Sequence, residues 1–212
     1  MLLGSDDTRP IELLCIGAHS DDIEIGCGGT LLRLLAERPG TRVHWVVLSA
    51  TPDREQEARA SAVAFLADAG EAHVEVESFR ESYFPYCGSE IKDHFNGLRQ
   101  RVDPDLVFCH HRFDEHQDHR LVAELAWNTF RNHLIAEYEI PKYEGDLGHP
   151  NLFVALPQPV ADRKIELIAE HFGTQTDKYW FRPETFSAIM ALRGVEAGMA
   201  HAEAFHVRKL VI

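Results

Sequence analysis

The chain has 212 residues, of which 45% are hydrophobic and 26% charged, and its formal net charge is -13. That balance is globular and not disordered, and the length suits one well-buried core. The acidity lacks the basic patch or stripe of a nucleic-acid binder, and no apolar run approaches the roughly 18 residues of a membrane span.

Met1 to Pro10 contains Asp6 and Asp7 and lacks the basic start and apolar stretch of a signal peptide. Ile11 to Ile16 is a short apolar run ended by Gly17 and reads as a buried strand. Gly28 and Gly29 precede a helical segment beginning Thr30-Leu31-Leu32, stopped near Pro39-Gly40. Arg42 to Leu48 is β-branched and aromatic, a second strand. Asp53 caps a helix through the alanine-rich stretch to about Ala69. His73 to Phe79 alternates and predicts a third strand.

Pro85 to Gly88 signals a turn before a helix over Ser89 to Val102, and Pro104 separates that helix from a fourth strand, Leu106 to Cys109. Leu121 to Arg131 is a helix with Leu121, Val122, Leu125 and Ala126 on its apolar side. After Ile135 the pattern changes, and Ile140 to Pro150 reads as a long functional loop. Leu152 to Leu156 is a short strand, Ala161 to His171 and Glu184 to Ala197 are helical, and Phe205 to Ile212 closes as a strand.

Strand and helix alternate through the first two-thirds, which predicts an α/β fold: a Rossmann-like three-layer αβα sandwich around a mainly parallel sheet. No internal repeat or low-complexity segment interrupts residues 1–212, so a single domain is expected. Cys15, Cys27, Cys87 and Cys109 show no C-x-x-C spacing, and Cys15 and Cys109 lie in apolar runs. The expectation is a reducing, cytoplasmic setting without a disulfide framework.

Two polar clusters carry the chemistry. The first, Ala18-His19-Ser20-Asp21-Asp22-Ile23-Glu24 and on to Gly28-Gly29-Thr30, follows the first strand. Its groups therefore emerge at a carboxyl end of the sheet, where open α/β sheets bind ligands. A sharp turn is needed to aim His19 and Asp22 at one point, with Gly26, Gly28 and Gly29 supplying backbone freedom. The second cluster, His110 to His119, holds four histidines in ten residues and follows the fourth strand. His116 and His119 are spaced to share a helical face, and Asp118 between them is suited to hold one imidazole in a fixed tautomer. His110 and His111 either support the site or finish the strand. His44, His73, His94, His133 and His171 read as ordinary surface or core residues.

Together His19, Asp22 and His119 make a His₂Asp set, and three protein ligands with an open fourth position are the usual form of catalytic zinc. One Zn²⁺ per chain is expected, although ligand chemistry also admits other divalent metals. Such an ion lowers the pKa of water from 15.7 to about 7, and Asp21 is placed to take the proton.

These motifs resemble the PIG-L/LmbE-type metal-dependent N-deacetylases, whose first motif reads A-H-P-D-D-x-E before a Gly-Gly-Thr and whose second reads H-P-D-H. Here the second is His116-Gln117-Asp118-His119; Ser20 and Gln117 replace the two prolines. Weaker likenesses lie at Arg54-x-x-Glu57 and at Ala202-Glu203-Ala204-Phe205. The resemblance implies a hydrolase that removes an N-acetyl or other N-acyl group from an amino-sugar-containing small molecule. It implies His19, Asp22 and His119 as zinc ligands and Asp21 as general base and later acid. It further implies His116, oriented by Asp118, as the oxyanion donor, and Arg54 as a substrate contact. Asp114 stands where some members carry a tyrosine.

Alternatives from the sequence are a zinc amidase for a larger acyl or thiol-conjugate amide, and a nucleotide-binding Rossmann-like module. The latter lacks G-x-G-x-x-G, and Asp21 and Asp22 would repel a pyrophosphate. Loops around Tyr83 to Gly88 and Pro141 to Pro150 are expected to select the substrate, with Tyr83, Phe84, Tyr86 and Tyr143 stacking on a sugar or packing the rim. A homo-oligomer is compatible with the sequence.

Overall fold

In the computed structural model of this chain, residues 8–210 are described. The signal-peptide reading of Met1 to Pro10 therefore lies mostly outside the described residues, as do the last two residues of the expected closing strand.

The run after Ile11 forms β1 (Glu12–Gly17), and alternate residues enter different cores. Leu13 and Cys15 pack on one face of the sheet and Leu14 and Ile16 on the other. Burial on both faces explains why the strand is continuously apolar. β2 (Arg42–Val47), β3 (Glu71–Val76), β4 (Leu106–His110) and β5 (Leu134–Tyr138) join it in parallel. β6 (Leu152–Ala155) and β7 (Ala202–His206) complete the sheet antiparallel, in the order β3-β2-β1-β4-β5-β7-β6.

Helices cover both faces. α1 (Asp22–Glu37), α2 (Pro52–Phe65) and α5 (Gln158–His171) pack together over Leu13, Trp45 and Phe108. α3 (Gly88–Arg101) and α4 (Gln117–Phe130) pack over Leu14, Val46 and Val107. α6 (Pro183–Ala197) lies against β7 and α5. This is the αβα sandwich with a mainly parallel sheet. Among the described residues no helix is long and apolar enough to cross a membrane.

Several expected boundaries shift. α1 begins at Asp22, inside the first polar cluster, and not after Gly29. Asp22 in its first turn suits the positive end of the helix dipole. The glycines are thus helical, and they serve close packing in place of backbone freedom: a Cβ on Gly26 would lie 2.3 Å from the Tyr138 ring. α2 begins with Pro52 at its first position, so Thr51, not Asp53, takes the cap place. α4 starts at Gln117 and not Leu121, which puts the second cluster in a helix's first turn. β5 is absent from the sequence reading because Glu137 interrupts its apolar pattern; that carboxylate is buried against His111 and Arg208. The expected closing strand from Phe205 corresponds instead to β7, which starts earlier, at Ala202, and ends at His206.

Candidate metal centre

β1 and β4 are neighbours, and the connections leaving them run to opposite sides of the sheet order. The crevice at their carboxyl ends is a topological switch point, the habitual ligand site of such sheets. Residues 18–21 turn out of β1 into α1, and residues 111–116 lead from β4 into α4. Adjacent strands thus bring together side chains that are 100 positions apart in the chain.

His19 Nδ1 lies 3.2 Å from His119 Nε2 and 3.4 Å from Asp22 Oδ2, and His119 Nε2 lies 3.6 Å from Asp22 Oδ1. Ligand bonds of 2.0–2.2 Å in a tetrahedron would put neighbouring donor atoms about 3.3–3.6 Å apart. Each pair is near that spacing, with Asp22 meeting His19 through Oδ2 and His119 through Oδ1, and the two-imidazole, one-carboxylate donor set fits a divalent ion such as zinc. Ligand-capable atoms of His19, His116 and His119 also lie within 4.8 Å of one another, as do those of Asp22, His110 and His119. His110 is less available, since its Nε2 accepts the Ala18 amide at 2.9 Å and the ring is wholly buried. Outside this centre, Glu75, Glu77 and His94 form a further group, in which Glu75 is already paired with Arg101.

Each imidazole is held from behind by a carboxylate. His19 Nε2 faces Asp118 Oδ2 at 3.2 Å, and His119 Nδ1 faces Asp114 Oδ2 at 3.0 Å. This corrects the expected partnership of Asp118 with His116. The Asp118 carboxylate also accepts the Ser82 and Phe84 amides at 2.6 and 3.1 Å, and these turn it toward the 82–84 segment and His19. His116 is instead oriented by main chain: at the N-cap of α4 its Nδ1 accepts the Asp118 amide at 3.2 Å. A neutral His116 then carries its proton on Nε2, where it can donate. Asp114, assigned no role from sequence, also accepts Lys142 Nζ at 2.9 Å, tying the 140–150 loop to the centre.

The electrostatics favour a cation. Burial alone would lower His19, but the Asp118 and Asp22 carboxylates outweigh it and raise the imidazole to about 10, so an ion binding here displaces a proton from it. Burial and the neighbouring His110 lower His119 to about 3, against the pull of Asp22 and Asp114, so it presents a lone pair. Burial would raise Asp22, yet His119, His110 and His19 hold it well below the usual carboxylate range. Burial and the charge on Asp22 push Asp21 up, opposed by Arg54. Burial and His19 lower His116, keeping it neutral.

A cavity of about 260 Å³ opens over these groups, lined by His19, Asp21, Asp22, Arg54, His116 and His119. Arg54 Nη2 donates to Asp21 Oδ1 at 2.8 Å, while Asp21 Oδ2 is buried without a partner. All seven site residues read from sequence are thus gathered here, except that the carboxylate of Asp118 lies behind His19 and outside the cavity lining. Of the four aromatics expected at the rim, Tyr143 alone lines the cavity, and Phe84 is buried beside the His19 ring. The far wall comes from Gln175, Lys178 and Trp180. No sequence signal singled these out, because they lie about 60 residues beyond the second cluster in a segment without chemistry-bearing spacing.

The family model described as PIG-L: GlcNAc-PI de-N-acetylase matches residues 14–130. No curated protein matches the chain. Among solved structures, the conserved protein TT1542 of Thermus thermophilus is similar, with TM-score 0.77 and 22% identity over 95% of this chain and 96% of that one. The N,N'-diacetylchitobiose deacetylase of Pyrococcus horikoshii has TM-score 0.72 and 24% identity over 93% of this chain and 83% of its own. GalB, the 4-carboxy-2-hydroxymuconate hydratase of Pseudomonas putida, has TM-score 0.76 and 20% identity over 95% and 98%. At these identities the likeness establishes the shared fold.

Proposed function

Since the chain belongs to the PIG-L family of GlcNAc-PI de-N-acetylases, a family of hydrolytic deacetylases, we propose that it hydrolyses the N-acyl group, acetyl first, of an amino-sugar-containing small molecule with one zinc ion. The observation that carries this reading is the pairwise approach of His19, Asp22 and His119, 3.2 to 3.6 Å between ligand-capable atoms, with Asp22 turning Oδ2 to His19 and Oδ1 to His119, beside a buried carboxylate. We take residues 1–212 as one catalytic domain.

When bound, a divalent ion held by these three residues supplies Lewis acidity and makes water acidic enough to act as a nucleophile near neutral pH. Asp21 takes the proton from the attacking water and later delivers it to the leaving amine nitrogen. Burial, which raises its affinity for a proton, suits both roles. Arg54 fixes one oxygen of Asp21 and leaves the other without a partner. His116 donates from Nε2 to the carbonyl oxygen as charge develops there, a contribution typically worth about 2.7–4 kcal/mol. Asp118 and Asp114 hold the two imidazoles in the tautomers that ligation needs. Trp180, Tyr143 and Lys178 line the space left for the sugar.

The test is amine release from N-acetylglucosaminides by purified protein, with and without chelator and added zinc. Asp21→Asn should keep the metal and lose about 10²- to 10⁴-fold in turnover. Wild-type rates in that variant, or indifference to chelation, would sink the proposal. Release of only longer acyl groups would move the reading to an amidase with the same residues.

A further inference from the structure

A second cavity, about 650 Å³, lies along α4 and is lined by Arg112, Gln117, Arg120, Glu124, Trp127 and Arg208, among others. Gln117, Arg120, Glu124 and Trp127 recur at steps of three and four, one face of the helix. His116 and His119, from the same turn, line the metal cavity instead. The first turn of α4 thus serves two separate pockets.

The charge of this cleft runs against the rest of the molecule. Three guanidiniums line it with one carboxylate, in a chain of net charge -13. Arg112 is exposed, and among the described residues its guanidinium meets the Phe113 ring at 5.3 Å and no carboxylate. Arg120 Nη1 donates to the Asp114 and Glu115 carbonyls and lies 3.7 Å from the Glu115 carboxylate. Arg208 is paired with the buried Glu137 and stacks on Trp127 at 4.4 Å, while its Nε is buried without a partner. Guanidinium forks match phosphate oxygens bidentately, and the volume is that of a small-molecule site and larger than an inorganic ion requires.

We propose that this cleft binds a soluble small molecule carrying phosphate groups, held by Arg112 and Arg120 with Arg208 behind them. The net charge of -13 disfavours approach to an anionic bilayer, which favours a phosphate compound free in solution over a lipid headgroup. The site is independent of the hydrolase reading, and it touches the metal centre through one element: Arg120 clamps the carbonyl of Asp114, whose carboxylate holds His119.

The experiment titrates the full-length protein with fructose 1,6-bisphosphate and with inorganic phosphate at constant ionic strength, by calorimetry and tryptophan fluorescence. Saturable one-site binding is expected, tighter for the bisphosphate and not reproduced by chloride. Arg112→Gln with Arg120→Gln should weaken it about tenfold or more for each guanidinium removed. Glu124→Gln should tighten it, an effect of opposite sign that loss of folding does not mimic. Trp127→Phe should abolish the fluorescence change and keep the heat. Non-saturable binding, or unchanged affinity in the double arginine variant, overturns the site. Co-sedimentation with vesicles containing phosphatidylglycerol but not with pure phosphatidylcholine overturns the soluble ligand.

Discussion

Arg54 donates to Asp21 at 2.8 Å, across 33 positions of sequence, and the two side chains are 12% and 5% exposed. A residue expected from sequence only to contact substrate is thus also the partner of the proposed base. The ion pair aims one carboxylate oxygen and leaves the second unpartnered in the interior.

Replacing Arg54 by methionine should therefore lower kcat as well as raise KM. Were Arg54 only a substrate ligand, binding ground and transition states equally, its removal would raise KM and leave kcat unchanged. Steady-state kinetics on an N-acetylglucosaminide separates the two, and an unchanged kcat would remove Arg54 from the positioning of Asp21.

Asp118→Asn addresses the carboxylate behind His19. Loss of a group that orients a ligating imidazole commonly costs 10- to 100-fold in metal affinity or activity. Competition with a chromogenic zinc chelator should show weakened binding here, whereas Asp21→Asn should leave it near wild type. Equal zinc affinity in both variants would mean that Asp118 serves the 82–84 segment alone.

Glu139 and Arg193 form a buried bidentate pair, with a shortest separation of 2.7 Å. Burial would raise the Glu139 carboxyl, but His206, the Gly148 amide and Arg193 together lower it. Because the folded value is depressed, its stabilisation is present in full above the ordinary glutamate value, roughly 4.3, and is lost as pH falls through the lower folded value. Glu139→Gln leaves Arg193 with Glu196 as its remaining carboxylate and removes charge-assisted hydrogen bonds, which should cost about 1.5–3 kcal/mol at neutral pH. Thermal unfolding of both proteins should show that gap narrowing as pH drops below about 4; a constant gap would contradict the linkage.

Gly26→Ala tests the packing of α1 on the sheet. The added methyl would sit 2.3 Å from the fully buried Tyr138 ring, which cannot retreat without losing its hydroxyl bond to the Ile16 carbonyl. Overpacking of this kind typically costs about 1–3 kcal/mol. Alanine is otherwise the better helix former by about 1 kcal/mol, so denaturant unfolding that showed stabilisation would refute the packing role.

Local features are legible in the amino-acid order: strands whose both faces are buried read as continuous apolar runs, as Ile11 to Ile16 does, and polar clusters directly after two such runs mark carboxyl ends of the sheet. His19 with Asp22, and His116 with His119, are legible because each pair sits within a single turn. How these pieces face one another depends on long-range packing. The placement of β4 beside β1 brings His119 to His19, and the amides of Ser82 and Phe84 turn Asp118 to His19 and away from His116. Packing also made Gly26 helical against its propensity and buried Glu137 in a strand, since interactions with distant segments outweigh the preferences of a short window. The wall of Gln175, Lys178 and Trp180 was hidden for the same reason: a cavity is a relation between segments remote in sequence, and no periodicity in any one of them encodes it.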